Sequence, residues 1–177
     1  MITALFSYYI IPFLTLHLAR GTGYFTTNFS CIRSDQGRHL EFLLWCSVTG
    51  IYFFSSLSLL CRRILPTRKG RQLPGLSAAL FLLSALLPYL PEQYPTLSFL
   101  HLICAFLSSV LLFFCLLLLS LRLYDLRPSL GRTALCLLIM AVCFCLGAWI
   151  WSGIINTAME ICLVLTACLL IRRFSLF

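Results

Sequence analysis

Few side chains in this sequence can do more than pack. There are three histidines (His17, His39 and His101) and five carboxylates (Asp35, Glu41, Glu92, Asp125 and Glu160). Imidazoles and carboxylates together make competent zinc ligands, with a carboxylate as general base for hydrolysis. Without metal, a His–Glu pair exchanges protons with a lipid headgroup, or the same groups bind a headgroup or cation and catalyse nothing. The plainest alternative is structural, with His101 hydrogen-bonded to Glu160 or to a backbone carbonyl and two helices held in register. The sequence contains no H-E-x-x-H, no G-x-S-x-G and no Gly-rich phosphate loop, so no motif favours an enzyme or specifies a metal or cofactor.

The elements that must position these groups are dictated by composition. Hydrophobic residues make up 61% of the chain and charged residues 10%, against about 25% charged in an average soluble domain. Such a chain cannot cover a globule with polar surface. It reads as an all-α polytopic membrane bundle, a single transmembrane domain over residues 1–177, with six spans at about 1–19, 42–61, 75–90, 97–121, 133–150 and 154–171. The first run lacks a basic leader and contains Pro12 and His17, which reads as a retained helix rather than a signal peptide. Pro88, Pro91 and Pro95 make a stiff break after the third span, and Trp151-Ser152-Gly153 leaves only a tight hairpin between the last two.

Charge sets the orientation. Ten of the thirteen Lys and Arg residues fall in the second and fourth loops and the tail, and three (Arg20, Arg33 and Arg38) in the first loop. This places both termini in the cytosol, in a plasma or inner membrane. The positive charges flank apolar runs and form no basic face, which excludes nucleic acid as a partner. The loop 62–71 is instead suited to anionic headgroups. Of ten cysteines only Cys31 lies in a polar loop, so no disulfide is expected. Asn28-Phe29-Ser30 matches a glycosylation acceptor in the first loop, a segment read as too polar to enter lipid. Small or soft residues at Ser47, Gly50 and Ser58, at Ala105 and Ser108, and at Cys136, Met140, Cys143 and Gly147 read as helix-packing stripes.

In this frame the polar residues cluster on the outer side. His17 lies half a turn from the end of the first span. At 1.5 Å per residue, His101 sits about 6 Å inside the fourth and Glu160 about 9 Å inside the sixth. Asn156 precedes Glu160 by four residues and is expected on the same face. Asp35, His39 and Glu92 occupy the outer loops. The candidate binding set is therefore His101, Glu160, Asp35, Asn156, His17, His39 and Glu92, with His101 and Glu160 sharing a pocket rimmed by Asp35. Ionisable groups in lipid are costly and need a partner or water.

The layout resembles the six-helix damage-regulated autophagy modulator (DRAM/Frag-like) proteins and similar uncharacterised bacterial multi-pass families. The likeness rests on Ser34-Asp35-Gln36-Gly37 in the first loop, Leu90-Pro91-Glu92 after the short third helix, and early His101 and Glu160 in their helices. Arg38-His39 and Ile161 depart from the family pattern, which has prolines and an aromatic there. The resemblance implies an outer polar site and membrane-lipid handling, and it does not imply an enzyme, because the family has no settled common activity. The leading functional expectation is thus a six-helix membrane protein with an extracytoplasmic polar site that binds or handles a lipid or its headgroup. The rivals are a small transporter or channel subunit and a non-catalytic accessory protein.

Overall fold

In a solvent without hydrogen-bonding capacity each backbone N–H and C=O must be satisfied within its own segment, so long apolar runs become helices. The computed structural model describes residues 2–35 and 37–176, and helices are the only regular structure among them. We label them α1 (Ile2–Leu18, with a π-helical stretch at Phe6–Ile10), α2 (Phe29–Asp35), α3 (His39–Ile64), α4 (Arg68–Leu86), α5 (Pro95–Leu126), α6 (Pro128–Ser152) and α7 (Thr157–Phe174). Three of them, α3, α5 and α6, are long and apolar enough to cross a membrane. Large apolar side chains such as Leu40, Met140, Ile150 and Trp151, the last 85% exposed, cover the outside. A lipid environment accommodates that surface and water does not.

The helices overrun several expected boundaries, with α3 reaching Ile64, α5 reaching Leu126 and α6 starting at Pro128. The third span, expected at 75–90, belongs to a helix that begins at Arg68 and ends at Leu86. The reason is a cap. The Gly70 N–H donates to Thr67 Oγ1 at 3.3 Å, and Arg71 Nε donates to the Leu65 carbonyl at 3.0 Å. Of the basic residues read as loop, Arg68, Lys69 and Arg71 therefore belong to the opening turns of α4, Arg62 and Arg63 end α3, and Pro74 lies inside α4. The first loop is corrected too. It holds α2, whose Phe29 and Ile32 are buried in the core, because a short helix can turn two apolar residues inward while its polar residues stay at the surface.

The small or soft stripe expected on α6 does not face the bundle. Cys136, Met140, Cys143 and Gly147 are exposed, and the buried positions are Gly131, Ala134, Leu138 and Ala148. In a helix apolar on all sides, residue size alone does not mark the packed face. The real close approach is at Gly131, where an added Cβ would run into the backbone of Tyr124 at the end of α5. The hairpin after α6 follows expectation. Gly153 takes a positive φ of 72° and its N–H donates to the Trp149 carbonyl at 2.8 Å, a left-handed helix stop suited to glycine.

The bundle is held by buried polar ties as well as apolar packing. Trp45 Nε1 donates to Thr15 Oγ1 at 2.9 Å, joining α3 to α1. Ser77 and Ser108 each donate to the other's carbonyl, at 3.0 and 2.9 Å, drawing α4 against α5. Small hydroxyl residues allow such close crossings in lipid.

Candidate functional site

α2 lies across one end of the bundle. Asn28 starts it, its Oδ1 accepting the Cys31 N–H at 2.9 Å, and Phe29 packs edge-on against Trp45 with ring centroids 4.8 Å apart. On one side the Thr157 N–H donates to the Thr27 carbonyl at 2.7 Å and the Ala158 N–H to the Tyr24 carbonyl at 3.0 Å. On the other, Ser34 Oγ donates to the Tyr89 carbonyl at 2.6 Å. Asn28 of the acceptor motif read from sequence is thus engaged at the start of this helix.

Two arginines that sequence reasoning treated only as topology signal complete this seal. Arg33 donates to the carbonyls of Ala85 and Leu87 at 2.8 and 2.9 Å and to His39 Nδ1 at 3.0 Å, with its guanidinium 5.6 Å from the centre of the Phe42 ring. Burial lowers its pKa from the ordinary arginine value, with a smaller opposing effect from Cys46. Arg38 donates to the carbonyls of His17, Leu18 and Arg20 and pairs with Glu41. Helix C-termini leave carbonyls without intrahelical donors, and these side chains satisfy those of α1 and α4.

Beneath α2 lies a cavity of about 120 Å³ bounded by α3, α4, α5 and α7. Its lining runs from Phe42 to Leu57 on α3 and from His101 to Cys115 on α5, a reach of roughly 21–23 Å at the helical rise. The space is long and thin. Its α2 end is polar, with Ser30, Ser84, His101 and Glu160; its other end is Leu57, Leu112 and Cys115. His101 is buried between two partners, Ser30 Oγ at 2.7 Å from Nε2 and the Ser84 carbonyl at 2.7 Å from Nδ1, with Tyr89 against its ring. Glu160 Oε2 accepts the Phe29 N–H at 2.8 Å. The two expected partners therefore line one cavity but are joined through the consecutive residues Phe29 and Ser30, not to each other.

The remaining sequence candidates lie elsewhere. Asn156 does not share the Glu160 face. It precedes α7 as its cap, with Oδ1 accepting the Met159 N–H at 3.1 Å and Nδ2 donating to Ser152 Oγ at 2.8 Å. His17 sits 3.4 Å from Glu41 at the surface, His39 is held by Arg33, and Glu92 is exposed in the turn before α5. The side chain of Asp35, like the whole of Gln36, lies outside the described residues. No group of three or more His, Cys, Asp or Glu placed to hold a metal ion occurs among the described residues.

Two contributors had no sequence signal. Ser30 is one of many serines, and only the fold brings it to His101. Thr49, 2% exposed, lines the cavity with its hydroxyl unpartnered. Comparison with family models, with curated proteins and with solved structures gives no match.

Proposed function

We propose that this chain is a six-span membrane protein that binds one hydrocarbon chain of a membrane lipid in the cavity, with the lipid's polar group under α2. The observation that carries the reading is the asymmetry of the cavity: hydroxyl, imidazole and carboxylate at one end and aliphatic lining at the other. α1, α4 and α7 complete the six spans. They are 17, 19 and 18 residues long, about 26–29 Å, close to a hydrocarbon core of about 30 Å. The Lys and Arg distribution supports cytosolic termini, with α2 on the opposite side and Arg62, Arg63 and Arg68 among anionic headgroups. An affiliation with the DRAM/Frag-like proteins agrees with lipid handling and is part of the same proposal.

The test is photocrosslinking of the full chain in nanodiscs with a diazirine-bearing fatty-acyl phospholipid. Adducts are expected on cavity residues such as Ala78 and Ala105, and Ala78→Trp, which fills the lumen, should abolish them while the protein stays folded. Ala105→Phe serves as the second blocking variant. Adducts confined to outward residues such as Phe13 and Met140 would overturn the reading.

A further inference from the structure

Ser30 Oγ, His101 and the Ser84 carbonyl stand in a line. The contacts are 2.7 Å from Oγ to Nε2 and 2.7 Å from Nδ1 to the carbonyl oxygen. A carbonyl oxygen only accepts, so Nδ1 carries the proton, and the neutral ring presents Nε2 as acceptor for the Ser30 hydroxyl. Hydroxyl, imidazole and a third group that fixes the imidazole tautomer is the arrangement that activates a serine nucleophile. Here a backbone carbonyl stands in the third place.

A serine–histidine contact in a bundle can simply tie two elements, so what surrounds it decides. Ser30 and His101 both line the elongated cavity. The Thr49 hydroxyl, buried and unpartnered, lines the same space, where an unpaired hydroxyl is unfavourable unless a ligand pairs with it. A lipid ester has the oxygen atoms to do so.

We propose that Ser30 is the nucleophile and His101 the general base of an acyl transfer from a long-chain lipid ester. The proposal rests on the lipid-binding reading above. Ser30 Oγ attacks the ester carbonyl carbon and its proton passes to His101 Nε2. The bond from that carbon to the alkoxy oxygen breaks, the leaving alkoxide takes the proton from Nε2 as an alcohol, and the acyl group remains on Ser30. Water then attacks the acyl-serine, gives a proton to Nε2, and the fatty acid leaves as Ser30 Oγ recovers that proton.

The experiment treats the full chain in nanodiscs with a long-chain alkyl fluorophosphonate and locates adducts by peptide mass spectrometry, with uptake of the photoreactive phospholipid measured in parallel. A single adduct on Ser30 is expected. It should be absent in Ser30→Ala and form at least about 100-fold more slowly in His101→Gln, whose amide can still bridge Ser30 and Ser84. An unlabelled wild-type protein that takes up the photolipid would overturn the nucleophile and leave the binding reading standing. Loss of both signals would remove both. An adduct on Ser34 or Thr49 instead, or an undiminished rate in folded His101→Gln, would also overturn it, and the wild-type result decides even if that variant fails to fold.

Discussion

Thr49 and Arg33 show how much depends on single polar side chains here. A buried hydroxyl with no partner costs about 1–3 kcal/mol, and valine replaces it with nearly the same shape. Thr49→Val should therefore raise the melting temperature of the protein in detergent, by an amount equivalent to about 1 kcal/mol, and weaken retention of an ester lipid. Calorimetry beside a lipid-retention assay checks both; an unchanged melting temperature would mean that the hydroxyl is paired. Arg33 has the opposite balance. Its removal strands the carbonyls of Ala85 and Leu87 as well as freeing α2. Hydrogen bonds to a charged donor contribute about 1.5–3 kcal/mol. Arg33→Ala should lower stability by that order, and Arg33→Lys should rescue it only in part, because an ammonium lacks the fork that reaches two carbonyls and His39 together. Thermal unfolding followed by circular dichroism separates the two variants.

At the scale of elements, two glycines of α6 make contrasting predictions. Gly131 approaches the Tyr124 backbone, which cannot move aside, whereas Gly147 has open space around its Cα. Gly131→Ala should destabilise by about 1–3 kcal/mol as an overpacked contact, and Gly147→Leu should leave unfolding in detergent unchanged. Reversal of that order would place the other face of α6 against the bundle. The positions of the long helices were legible in sequence, since apolar runs with Gly, Pro and Arg between them leave little choice. The facing of α6 was not, because lipid and bundle both accept apolar side chains. The start of α4 was hidden by its basic first turns, which read as loop until the Thr67 cap is seen. Nor was α2 legible: seven residues with two inward apolar positions fall below any useful periodicity.

For the whole molecule the orientation of the bundle is open to direct measurement. Arg68 and Thr96 are both exposed and lie at opposite ends by connectivity. A cysteine at Thr96 should react with a membrane-impermeant maleimide added to intact cells, and one at Arg68 only after permeabilisation. The reverse pattern would put α2 and its cavity mouth in the cytosol. Cys31 is a poor native reporter because it is half-buried in α2. His101 and Glu160 were legible as a pair because ionisable side chains in apolar runs stand out. What joins them was not, since Ser30 lies 71 residues from His101 and Phe29 lies 131 from Glu160. Only tertiary structure closes such distances.

Those same distances constrain the order in which the chain matures. Thr27, Tyr24 and Phe29 all find their partners in the first residues of α7, about 130 positions later. During synthesis the first connection must wait, unsealed, while every intervening helix is made. Long-range closures of this kind come late and slowly. The cavity thus lacks its α7 wall until α7 is made; on the lipid-binding reading proposed above, a lipid enters before that point and the docking of α7 becomes the step that shuts it in.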